Sequence, residues 1–254
     1  MRSIGSIVAI MLTAFVLAEA ALPSFVGGVL AGHIDTVAGS VLGIALPPVA
    51  RAGAQSPAGT IIRVRSSPAV RLAFGIIDEI TMFAGSVRIA GYEVDSAAIQ
   101  MTGVRFDPRA LFWGSGQMTV RYDDAIVVLE VNEAALSREI ERMNLPLSSP
   151  RVTLSQGRVR ITGKVSLLGQ VQEIGLEGTL AVLPGEPRRI YLLPSAPLLN
   201  GKPLPVGAGP VVRGLLGDRL LLVDFDRQGI PLSFRDITVV PGRLKIVAGR
   251  KGGQ

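Results

Sequence analysis

The side chains best suited to covalent chemistry are few, and their spacing does not assemble a reaction centre. His33 is the only histidine among 254 residues, and there is no cysteine. One imidazole supplies neither a metal cage nor a Ser–His–Asp triad. Without thiols there is no disulfide framework and no cysteine nucleophile. His33 reads as a structural or exposed side chain, so no metal and no cofactor is expected. Carboxylates stand side by side at Asp78/Glu79 and Asp123/Asp124. A glycosidase-type reaction needs two acids facing each other across a cleft. Neighbours on a strand point to opposite faces, so neither pair alone meets that need. Trp113-Gly114-Ser115-Gly116 is glycine-rich but lacks nucleophile-elbow spacing and a histidine partner, and reads as a turn. No phosphate-cradling or dinucleotide fingerprint stands between a strand and a helix. The expected class is not an enzyme. A carboxylate-dependent hydrolase built from distant acids stays open as a lesser reading.

What the chain does have is positive charge and aliphatic surface. Its net charge is +6 and hydrophobic residues make up 48%; the isoelectric point is about 10.3 and the mean hydropathy +0.44. Basic balance favours anionic partners. Nucleic acid is not expected, because the arginines are spread along alternating segments and aromatic residues for stacking are only 5%. Anionic lipid head groups fit better: each Lys or Arg near a membrane surface contributes about 1 kcal/mol.

The elements that must position these groups begin with a leader. Arg2 precedes an apolar stretch, Ile4 to Ala18. Its length, about 22 Å as a helix, falls short of the ~30 Å hydrocarbon core. That suits a signal peptide at residues 1–20, with Ala18-Glu19-Ala20 as a small-x-small cleavage site, or an uncleaved N-terminal membrane anchor. Export follows from either, placing the protein outside the cytoplasm, secreted or anchored to the outer face of the cytoplasmic membrane. Residues 21–254 then form one α+β domain. From Leu22 to Val41, apolar residues recur at three- and four-residue steps, an amphipathic helix weakened by Gly27, Gly28 and Gly32. It either covers a sheet or lies on a membrane. Residues 43–59 lose periodicity and read as a Pro/Gly-rich loop.

Strand patterning then persists to the C-terminus. A hairpin is legible over 158–182: Val159, Ile161, Val165 and Leu167 alternate with polar residues, as do Ile174, Leu176, Leu180 and Val182. A type II′ turn at Gly169-Gln170 pairs Val165 with Ile174, Thr162 with Glu177 and Val159 with Leu180. All the apolar side chains then share one face. Gly163 and Gly178 interrupt that face. They mark either a groove for an acyl chain or a bend that admits another element.

Other elements are coarser. Thr60–Ser66 reads as a strand and Pro68–Gly75 as a short helix capped by Ser67. Asp78–Ala90 and Tyr92–Phe106 read as long strands joined at Gly91. Gln117–Val131 is a strand whose alternation shifts at Asp123-Asp124. Asn132 caps a helix to Met143 with Ala135, Leu136, Ile140 and Met143 inward, ended by Pro146 and Pro150. A short helix is expected over Pro210–Gly217, then strands around Leu220–Phe225, Pro231–Val239 and Arg243–Ala248. The order gives an α+β domain dominated by antiparallel pairing.

In this order the segments resemble the LmeA-like phospholipid-binding family, also known as DUF2993. The matching pieces are AEAALPSFVGGVLA at 18–31, VRSSPAVRLAFGIIDEI at 64–80, MTGVRFDPRALF at 101–112, VLEVNEAALSREI at 128–140, VTLSQGRVRITGKVSLLG at 152–169 and IPLSFRDITVVPGRLKIVAG at 230–249. The stretches 43–59 and 185–210 depart from the pattern. The resemblance implies an exported bacterial protein that binds phospholipid in the cell envelope. It also implies a fold similar to tubular lipid-binding (TULIP-like) domains, a long twisted antiparallel β-sheet wrapped around an amphipathic helix.

The expected function is passive: acyl chains held in an apolar groove, with basic residues at the rim taking the phosphate. The expected lining is Phe25, Val29, Leu72, Phe74, Ile77, Phe83, Leu136, Ile140 and Met143. Each of these would equally suit a plain core. A structural or interaction module of the cell envelope with a filled core is the alternative.

Overall fold

The computed structural model describes residues 61–89, 92–107, 120–143, 145, 147–167, 170–203 and 220–251. The chain divides into two compact units, one of residues 1–85, 98–127 and 249–254 and the other of residues 86–97 and 128–248. Both are mostly antiparallel sheet, and the described residues contain a single α-helix.

In the first unit, β1 (Ile61–Arg65) pairs antiparallel with β2 (Ile76–Ala84), Val64 standing opposite Ile80. Between them lies a short 3₁₀ helix, Ala69–Phe74, begun by Pro68 and closed by Gly75 in the left-handed conformation. The expected Ser67 cap is not the one used. The Ser67 amide instead donates to Asp78 at 2.7 Å, and Arg71 pairs with the same carboxylate. The long strand expected over Asp78–Ala90 is two, β2 and β3 (Val87–Ile89); its partner is also two, β4 (Tyr92–Val94) and β5 (Ser96–Phe106). Along β5, Ala97, Ile99 and Met101 are buried, then Val104 and Phe106. The parity changes at Gly103, whose φ of 61° marks the irregular position. A second parity change falls where the sequence indicates it. β6 (Val120–Arg121) and β7 (Asp124–Asn132) are separated at Tyr122-Asp123.

The second unit contains β3, β4, the C-terminal part of β7, and β14 (Ser233–Val240) beside most of β15 (Arg243–Lys251), which passes into the first unit at residue 249. It also contains a sheet ordered β12-β11-β10-β9-β8, with β13 beside β11. These strands are β8 (Ser148–Ser155), β9 (Arg158–Leu167), β10 (Gln170–Ala181), β11 (Arg189–Leu199), β12 (Lys202–Pro203) and β13 (Leu220–Asp224).

The β9–β10 hairpin has its apolar residues on one face, but its register differs from expectation. Leu167 pairs with Gln170, one position earlier than a Gly169-Gln170 turn allows. Every predicted pair slides by two residues, which preserves the faces. The observed register sets Leu176 opposite Ile161 and Glu177 opposite Arg160. Thr162 therefore does not face Glu177. An apolar pair and an ion pair replace two poorer matches.

Helix α1 (Glu133–Arg142) starts at Asn132, whose side-chain oxygen accepts from the Ala135 amide at 2.8 Å. Asn132 also donates to Asp95 at 2.6 Å. The helix serves β8 directly: Glu133 Oε1 accepts from the Leu154 amide at 2.6 Å and Ser137 Oγ from the Val152 amide at 2.9 Å. Two N–H groups of a strand that ends its sheet are thereby satisfied by helix side chains.

Candidate apolar site beneath the helix

Ala135 and Ile140 are buried, and Leu136 and Met143 lie half-buried on the same side of the helix. Cavities follow this face within the second unit. The largest of three, about 40 Å³, is bounded by Leu136 and Glu139 of α1, Ile89 of β3, Tyr92, Glu93 and Val94 of β4, Leu129 and Val131 of β7, Leu244 and Ile246 of β15, and Val223 and Phe225. Another of about 20 Å³ lies against Leu136, Glu139, Ile140 and Met143, with Val159, Ile161, Leu180, Leu222 and Leu244 among its walls. A third of about 10 Å³ lies between Leu145, Leu147, Ile161, Ile174, Leu176 and Leu220.

These cavities form a row. Leu136, Glu139 and Leu244 border both the first and the second; Ile161 borders both the second and the third. Since one water needs roughly 10–15 Å³ of such space, the row holds short pieces of hydrocarbon and not a whole acyl chain. Among the described residues, the space where the sequence suggests an open groove consists of separate voids.

The ionic side chains on these walls are Glu93, on the first cavity, and Glu139, on the first and second. Glu93 and Glu139 border the largest cavity, and each is held by an arginine of α1, Arg138 on Glu93 and Arg142 on Glu139. These two acids share a cavity wall, the arrangement a hydrolase would require, but each already accepts from a guanidinium. Tyr92 borders the same cavity. Burial first, then the Glu139 and Asp224 carboxylates, raises its phenol above the usual 10.0. Its hydrogen bonds to the Asp224 backbone and the Gln228 side chain act in the other direction.

The predicted lining residues separate into groups. Leu136, Ile140 and Met143 come together on the second cavity. Leu72 and Ile77 belong to the first unit and are fully buried. Phe74 is 72% exposed and Phe83 41% exposed, opposite Ile61 in the β1–β2 pair. Phe25, Val29 and His33 lie outside the described residues, as do Trp113–Gly116 and Pro210–Gly217. The acid pairs take surface roles. Asp78 binds Ser67 and Arg71, Glu79 accepts from Gln100 at 2.7 Å, and Asp123 lies 3.6 Å from Arg105. Among the described residues no group of three or more His, Cys, Asp or Glu side chains is placed to hold a metal, and no helix is long and apolar enough to cross a membrane.

Sequence reasoning missed the walls supplied by β4, β13 and β15. Their apolar residues alternate as any half-buried strand's do, and nothing in that pattern tells a cavity wall from a filled core.

The model of a family described as LmeA-like phospholipid-binding matches residues 33–249, nearly the whole chain. No curated protein and no solved structure matches it.

Proposed function

From the premise that the chain belongs to the LmeA-like phospholipid-binding family, we propose that it binds phospholipid by taking an acyl chain into the row of apolar cavities beneath α1. The observation that carries this is the shared walls: Leu136, Glu139 and Leu244 border the first and second cavities, and Ile161 borders the second and third. Rotation of aliphatic side chains between staggered positions is fast and inexpensive. A tail entering the row would merge the cavities, each methylene moved from water contributing about 0.8 kcal/mol. Binding is passive and breaks no bond.

The same proposal includes export to the cell envelope, contact with a membrane surface, a preference for anionic lipid, and the likeness to tubular lipid-binding domains. Support comes from the apolar leader, the net charge of +6 and the antiparallel sheets beside an amphipathic helix.

The experiment is an organic extract of protein purified from the cells that export it, with an exported protein of unrelated fold purified in parallel. Mass spectrometry should find phospholipid near one per chain in the first and not in the second. Leu136→Trp fills the wall shared by the two larger cavities and should abolish the retained lipid while leaving the chain folded, because Leu136 is only half-buried. Equal lipid in both proteins, or full retention by the variant, would overturn the reading. A filled core with a protein partner would then be the better account.

A further inference from the structure

Arg138 and Arg142 are four residues apart on α1, so their guanidinium groups rise from one side of the helix, one turn apart. Both are about half exposed, at 50% and 48% of their side-chain surface. Their carboxylate partners are the only ionic residues on the wall of the largest cavity, whose remaining border is aliphatic or aromatic. Glu139, at 16% side-chain exposure, also reaches the second cavity. A carboxylate is an unusual lining for oily space. It is accounted for if the acids stand where another anion belongs. The C-terminal half of a helix presents carbonyl groups and not N–H groups. Positive charge for an anion at this end of the helix must therefore come from side chains, and these two arginines supply it.

We propose that Arg138 and Arg142 bind the phosphate of the phospholipid whose tail enters beneath them, displacing the carboxylates of Glu93 and Glu139; the assignment rests on the lipid-binding reading. The two acids hold the guanidinium forks beside the cavity, and uptake is an exchange of two carboxylates for one phosphate. The fork suits phosphate because it donates two parallel hydrogen bonds. Exchange conserves the ion-pair count, so the phosphate confers selectivity and the tail supplies the driving force.

The consequence is a pair of variants with opposite signs. The probes are pyrene-labelled phosphatidylglycerol and pyrene-labelled diacylglycerol, which has tails but no phosphate, each delivered to the full chain from phosphatidylcholine vesicles. Arg138→Gln with Arg142→Gln should weaken phosphatidylglycerol uptake by at least about tenfold and leave diacylglycerol within about twofold of the unmodified chain. Glu93→Gln removes a competitor and should strengthen phosphatidylglycerol uptake by about threefold, without effect on diacylglycerol. Glu93→Gln keeps both arginines, so it tests the exchange even where the double variant folds poorly. The assignment is overturned if the double variant keeps its phosphatidylglycerol, if it loses both lipids alike, or if Glu93→Gln weakens uptake. Should the unmodified chain take up neither lipid, the lipid-binding reading falls first and this assignment with it.

Discussion

The carbonyl oxygen of Leu193 lies 2.2 Å from the point a Cβ on Gly178 would occupy. Gly178 stands opposite Pro194 where the β10–β11 ladder changes register, and Ser195 is the extra residue of that bulge. The Ser195 hydroxyl donates to the Glu177 carbonyl at 3.1 Å. Proline donates no ladder hydrogen bond and is confined to edges and bulges. The glycine, the proline and the serine thus form one device. It turns β11 at a point where two strands approach too closely for any side chain. Neither a groove for an acyl chain nor a bend admitting a helix is what meets Gly178: the backbone of the paired strand does.

Gly178→Ala should therefore be costly. Backbone cannot swing aside as a side-chain tip can, so a loss of about 1–3 kcal/mol is expected, the range for overpacking. Gly157 is the comparison: its φ is 68° but no atom lies within 4 Å of its missing Cβ. Gly157→Ala meets only left-handed strain, about 1 kcal/mol. Urea denaturation of both variants should rank Gly178→Ala as the more destabilised. The reverse order would show that β11 yields at the bulge.

All three tyrosines should ionise late. Burial raises the phenols of Tyr92 and Tyr122 above 10.0, and a hydrogen bond to the Glu186 carboxylate followed by burial raises that of Tyr191. With the folded-state value above the unfolded one, stability is fully present below pH 10.0 and declines as pH rises through the folded-state values. Titration followed by phenolate absorbance should lag free tyrosine and then rise together with unfolding. Tyr92→Phe should remove part of the alkaline loss. A phenol titrating near its free value would contradict the packing described.

Glu177 should act at the other end of the pH scale. Arg158 and Arg160 donate to its carboxylate at 2.6–3.1 Å and hold it below its ordinary 4.5. Its contribution is complete above pH 4.5 and lost as pH falls through the depressed folded-state value. Glu177→Gln should flatten the acid limb of the stability profile within that window and lower stability at neutral pH by the same amount, a small one because both arginines are largely exposed. An unchanged acid limb would mean that the pair is not formed in solution.

What the sequence disclosed, and what it withheld, follows from the range over which each signal acts. Asn132 announces α1 because capping is local, and the alternation of Val159 and Ile161 announces a strand because the pleat is local. Faces survived a two-residue error in hairpin register because the pleat repeats every two residues; register itself depends on which side chains meet across strands, as Glu177 meets Arg160. Strand β11 was hidden by Pro194 and Pro197, which are tolerable only beside a bulge formed with a distant partner. Among the predicted lining residues, Leu136, Ile140 and Met143 were legible because one helix turns them the same way. Leu72 and Ile77 are equally apolar and equally buried but belong to the other unit, a distinction that composition cannot express.

Leu244 offers the sharpest separation between a lipid slot and ordinary imperfections of packing. It is 1% exposed and borders both larger cavities. Leu244→Ala enlarges both and removes part of the wall between them. A core truncation of this kind costs about 2–5 kcal/mol when nothing fills the space. If the row receives a tail, the enlarged cavity should bind one more tightly, and ligand that binds only the folded chain stabilises it as RT ln(1 + [L]/Kd). Thermal unfolding should therefore show a large deficit in lipid-stripped protein and a much smaller one after incubation with phosphatidylglycerol vesicles. The recovery should exceed any stabilisation of the unmodified chain by the same vesicles. A deficit that lipid does not reduce would mean that hydrocarbon never reaches this space, and that the voids are no more than incomplete packing.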